Sequence, residues 1–131
     1  MITTADIGDI IYRDCGVFGI DDIRREWHIP RGEVLSEKIV IIPKTQSADT
    51  YWKKGFVEVN LCVPDLRGSA ANLVRMAELE RKAVEAMDGV TGIYDGTPYY
   101  YYIDSTGTEA DTALKCHFVN VKLMFQVLNV N

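Results

Sequence analysis

One alternating segment, Cys116 to Asn129, limits this chain more than any other feature. A run that long, apolar at every second position, reads as one strand. A second alternating run, Phe56 to Val63, matches it. Val57, Val59, Leu61 and Val63 face one way, Glu58, Asn60 and Cys62 the other, and Pro64 ends the run. Between the two lies an amphipathic helix, Ala70 to Asp88, with Ser69 as its cap and Gly89 as its terminator. Leu73, Met76, Ala77, Leu79, Ala83, Val84 and Met87 form its apolar side. Arg75, Glu78, Arg81, Lys82 and Glu85 lie mostly away from it.

The terminal run changes parity. Leu114, Cys116 and Phe118 share one face, whereas Val119, Val121, Leu123, Phe125 and Val127 share the other. A uniform strand cannot bury both sets in one core, so the pattern predicts a bulge near Phe118–Val119.

Upstream, Thr3 or Thr4 caps a first helix, Thr4 to Cys15. Its stripe is Ile7, Ile10, Ile11 and Cys15, and Gly16 supplies a stop. The stretch Val17 to Gly32 is less regular. Ile20 to Ile23 reads as a turn or a helical step, Arg24 to Ile29 as a strand ending at Pro30, and Arg31-Gly32 as a turn. Lys38 to Ile42 is a central strand, apolar on both faces and closed by Pro43. Thr45 to Gly55 reads as a long exposed hairpin loop. Thr91 to Ile103 gives one or two strands around an Asp95-Gly96 turn, and Ser105 to Asp111 a polar loop. The expected fold is α+β: a mainly antiparallel twisted sheet of about four to five strands, with two helices packed on one face. Residues 1–131 form one domain, since no linker or repeat divides them.

The charge balance narrows the function. Fourteen basic residues stand against 19 acidic ones, a net charge of −5. A dedicated nucleic-acid binder needs a basic stripe to displace counterions, so no specific nucleic-acid binding is expected. The purest apolar run, Ile39 to Ile42, is too short to cross a membrane, and the first residues lack the pattern of a secretory signal. A soluble cytoplasmic product is expected.

Few residues offer chemistry. Cys15, Cys62, Cys116, His28 and His117 are numerically enough for zinc, but no two sit at a ligand-pair spacing. No metal and no cofactor are expected. Cys62 and His117 lie on strands that can pair, which makes them the candidates for a thiol nucleophile and its base. The plain alternative is a small half-buried cysteine. The acidic residues of the second helix sit at ion-pair spacings with Arg81 and Lys82, as on a solvated face. Phosphate-loop and hydrolase motifs are absent.

Two aromatic clusters remain. Tyr51 and Trp52 adjoin Lys53 and Lys54, and Tyr99 to Tyr102 must place tyrosines on both faces of a strand. Such groups stack single-stranded bases, anchor protein interfaces, or simply half-bury in an edge strand. On an acidic chain the interface reading is preferred, with Tyr51, Trp52, Lys53, Lys54, Tyr100 and Tyr102 as its residues.

In its order of elements, the chain resembles the small bacteriophage tail terminator, or tail completion, proteins. The segments that carry the resemblance are Ile39-Val40-Ile41-Ile42-Pro43, Phe56-Val57-Glu58-Val59-Asn60-Leu61 and Asn120-Val121-Lys122-Leu123-Met124-Phe125. The likeness covers most of the chain and is one of pattern, without a signature motif. It implies a non-enzymatic structural protein of a phage or prophage, resident in the virion tail and assembled in the host cytoplasm. It further implies a ring-forming homo-oligomer, with six subunits as one admissible count. That ring would cap the tail tube protein and join it to the head–tail connector protein. The other expectations are a small protein- or ligand-binding domain of different origin and, behind it, a cysteine-dependent enzyme.

Overall fold

The computed structural model describes residues 2–25, Gly32, 34–48 and 52–128, with backbone alone at Thr45, Ser47, Ala48 and Trp52. Helix α1 (Thr4–Asp14) starts in a capping box. The Thr3 hydroxyl accepts from the Asp6 N–H at 3.1 Å, and the Asp6 carboxylate accepts from the Thr3 N–H at 2.8 Å. The bond from the Thr3 backbone holds the Asp6 carboxyl below its ordinary pKa. Gly16 does not stop the chain's coiling. A 3₁₀ turn (Cys15–Phe18) carries it on to Gly19, whose φ of 68° ends it.

Six strands follow in a mixed sheet: β1 (Ile23–Arg25), β2 (Lys38–Ala48), β3 (Trp52–Pro64), β4 (Val90–Tyr94), β5 (Thr97–Asp111) and β6 (Cys116–Leu128). Their order across the sheet is β1-β2-β3-β6-β5-β4. The β1–β2 pair is parallel and the others are antiparallel. The class is thus α+β, with six strands where four to five were expected. The Thr91 to Ile103 stretch gives two strands, β4 and the start of β5, and β1 overlaps the beginning of the predicted strand Arg24 to Ile29. Of the predicted strand Arg24 to Ile29, residues 26–29 lie outside the described set, as do Pro30 and Arg31.

Two expected loops are strand. Pro43 does not close β2. The ladder to β3 slips between Pro43 and Gln46 and then resumes, so most of the predicted Thr45–Gly55 loop is a hairpin arm. Ser105 to Asp111 likewise continues β5 after a slip between Ile103 and Ser105. Polar composition suggested loops at both places, but a ladder on β3 or β6 satisfies the backbone whichever side chains it carries.

The expected bulge at Phe118–Val119 is absent, because β6 pairs with β3 without a break from Cys116 to Leu128. Val119, Val121, Leu123, Phe125 and Val127 lie under the helices. Cys116 and Phe118 join Leu114, Val40, Cys62 and Val34 in a second small cluster on the other face. Val34 is tied there by its N–H to the Leu114 carbonyl at 2.8 Å. The parity change marks two clusters rather than a kink.

Helix α2 (Leu73–Met87) packs on β5, β6 and the 3₁₀ turn, and α1 packs on β2, so both helices cover one face. Met76, Leu79, Ala83 and Met87 are buried, while Leu73 and Val84, assigned to the apolar side, are exposed, as is Val74. The cap is Asn72, whose side-chain oxygen accepts from the Arg75 N–H at 3.3 Å. Ser69 instead sits at φ 63° in the preceding turn. Asn72→Ala should cost about 1 kcal/mol of stability in urea denaturation, whereas Ser69→Asn, which tolerates a positive φ, should leave the midpoint nearly unchanged.

Candidate functional site

Alternation sends every second residue of the central strands away from the helices. On β3 these are Lys54, Phe56, Glu58, Asn60 and Cys62, and on β6 Phe118, Asn120, Lys122, Met124 and Gln126. On β5 they are Tyr100 and Tyr102, opposite Gln126 and Met124. No described helix covers this face. One end is closed by the cluster beneath Val34, and the remainder is open.

The open part has a definite grain. Phe56, Met124 and Tyr102 lie side by side on β3, β6 and β5. Tyr100 packs against Tyr102 with ring centroids 5.6 Å apart, and Lys122 places its ammonium 4.0 Å from the centre of the Phe56 ring. Asn120 donates to Asn60 at 2.8 Å, and Glu58 pairs with Lys44 at 3.2 Å. Ile93 on β4, opposite Pro98, stands on the same face and is 71% exposed. The row is made of aromatic, Met and aliphatic side chains rimmed by charge, the composition of interface centres.

The expected interface residues divide. Tyr100 and Tyr102 stand on the open face. Lys54 is on the same face and Lys53 on the helix side of β3. Both sit within a paired inner strand and not at a loop tip, because the hairpin is strand nearly to its end. Trp52 opens β3, and Tyr51 lies outside the described residues. Phe56, Lys122 and Met124 were missed by sequence reasoning. They occupy the nominally polar parity of two alternating runs, and that misfit was the available signal.

The other tyrosines do structural work. Tyr101 donates to Asp14 Oδ2 at 2.6 Å and Tyr99 accepts from the Arg13 guanidinium at 2.8 Å, which ties the end of α1 to β5. Both rings stack on Phe125.

The thiol–imidazole pair does not form. Cys62 lies opposite Phe118, and His117 opposite Val63, so the two point to opposite faces. Cys62 is 5% exposed rather than accessible, and burial first, then the neighbouring Cys116, pushes its thiol up to about 12. Burial likewise raises Cys15 and Cys116. His117 Nδ1 meets Asp65 Oδ1 at 2.6 Å. His28 lies outside the described residues, among which no group of three or more His, Cys, Asp or Glu could hold a metal ion. No helix among them is long and apolar enough to cross a membrane. The apolar hollow beside Cys62, walled by Val40, Ile42, Leu114, Cys116 and Phe118, has a volume of about 210 Å³. That is below the ~300 Å³ at which ligand pockets usually begin.

No family model and no curated protein matches the sequence. Three solved chains match. One of them, whose name states no function, is 12% identical, with 98% of this chain and 96% of that one covered at a TM-score of 0.54. That likeness concerns the fold alone.

Proposed function

We propose that this chain is a structural subunit of a phage or prophage tail, one that assembles with copies of itself into a ring, caps the tail tube and joins it to the head connector. The reading carries no catalysis, cofactor or metal. Its support is the open face with the row Phe56–Met124–Tyr102, which leaves apolar side chains that a second protein would cover. The tail tube protein or the connector is the partner for that row. The resemblance in element order points the same way. Assembly takes place in the host cytoplasm, and the finished ring resides in the virion tail.

The test is complementation of the parent phage or prophage lacking this gene, scored by tail length in electron micrographs. Tyr102→Ser with Met124→Ser should lower Tm by no more than about 5 °C, since both side chains are half-buried outside the main core. The same variant should give tails of uncontrolled length or tails without heads. Tails of normal length made without the protein would refute the proposal.

A further inference from the structure

Strand β5 is 15 residues long, yet β4 pairs only with Thr97–Tyr101. Among the described residues, no strand lies along the outer edge of Tyr102 to Asp111, although Asp88 Oδ1 accepts from the Ile103 N–H there. After its slip, Ser105 to Asp111 runs in unbroken register on β6. It contains no proline and no lysine, the residues that commonly blunt an exposed edge. A groove of about 520 Å³ lies between Thr106 and the α2 residues Ala77, Glu80, Arg81, Val84 and Glu85. On the opposite side of the sheet, β1 pairs only with Ile39–Ile41 of β2. The edge of Ile42 to Ala48 therefore has no described partner either.

We infer that the β5 edge, Tyr102 to Asp111, takes the β2 edge, Ile42 to Ala48, of a second copy as an added antiparallel strand. The inference rests on the ring reading above and supplies its subunit contact. Three observations choose this occupant. The first is direction: β5 runs opposite to β2 in the sheet, so the junction continues the antiparallel pattern. The second is charge. Asp104, Glu109 and Asp111 make the β5 edge acidic, while the β2 edge, Ile42 to Ala48, carries Lys44 and no carboxylate. Two β5 edges paired about Gly107–Thr108 would instead set Asp104 against Asp111.

The third is stagger. Thr108 is level with Val119, Leu61 and Ile39 across the sheet. The middle of the β2 edge lies about five to six residues further along. At ~3.3 Å per residue and ~4.8 Å between strands, that offset over four strands tilts them by about 40–45°. Closed barrels use that tilt, so head-to-tail addition can close into a ring and need not run on as a filament. Every copy then keeps its helices on the same side.

The experiment uses the full chain with Lys44→Cys and Glu109→Cys, both exposed and both on the face away from the helices, and Gly107→Cys to cover a two-residue shift of register. Under mild oxidation the double variant should give a ladder of covalent multimers on a non-reducing gel, and a mixture of the single variants should stop at dimers. Glu109→Lys should weaken assembly about fivefold, with recovery on adding Lys44→Glu. Multimers in light scattering that fail to cross-link at either register would overturn the edge pairing and leave the ring reading standing. Dimers from Gly107→Cys or Glu109→Cys alone would overturn it in favour of a two-fold contact. Wild-type protein that stays monomeric at every concentration removes both.

Discussion

Tyr101→Ala should lower the free energy of unfolding by about 4 kcal/mol, and Tyr101→Phe by about 1–2 kcal/mol. The Tyr101 ring is fully buried and stacks on Phe125 with centroids 5.6 Å apart. Truncation to Ala leaves a cavity between β5, β6 and the helical layer, in a core whose strand walls cannot close up freely. The phenol also donates to Asp14 at the end of α1. Burial, with the Asp14 bond second, raises the Tyr101 pKa, so the group remains a protonated donor through the ordinary pH range. The Phe variant isolates that bond. Its cost is held down because Asp14 is 21% exposed and water can take the vacated place. Urea denaturation at pH 7 with an unchanged m-value measures both variants. A loss below ~1.5 kcal/mol for the Ala variant would mean that the ring does not fill the core in solution.

Much of this fold was legible because period and burial agree locally. The stripe Ile7, Ile10, Ile11 and Cys15 is buried as read, and Asp95-Gly96 turns the β4–β5 hairpin with φ of 47° and 77°. What failed shares one cause. Thr45 to Gly55 and Ser105 to Asp111 are polar, and polarity was taken for a loop, although long neighbouring strands supply the backbone partners that composition does not reveal. The bulge at Phe118–Val119 followed from assuming one core. Val34, distant in sequence, builds a second cluster over Cys116 and Phe118, and no local pattern announces it. The site was legible by halves. Consecutive tyrosines had to straddle the sheet, which put Tyr100 and Tyr102 together on one face. Phe56 and Met124 join them only through the β3–β6–β5 register, a property of the assembled sheet.

The β4–β5 edge carries the second large effect: Gly92→Val should cost about 3 kcal/mol. Valine favours strands, so propensity alone predicts a gain. The packing decides otherwise. A Cβ at Gly92 would sit 2.3 Å from the Tyr99 hydroxyl oxygen and 2.5 Å from Cζ, because the Tyr99 ring lies across this glycine on the neighbouring strand. The ring cannot swing away cheaply. It stacks on Phe125 at 5.4 Å, accepts a hydrogen bond from Arg13 at 2.8 Å, and is 4% exposed. Either Tyr99 gives up those contacts, or β4 peels from β5 and its five-residue ladder is lost. A double-mutant cycle separates this clash from a general intolerance of valine. In a Tyr99→Leu background, Gly92→Val should cost less than ~1 kcal/mol, a coupling of about 2 kcal/mol between the two positions. Equal costs in both backgrounds would show that Tyr99 does not lie over Gly92. The tyrosines on the helix side would then have to be repacked around Phe125.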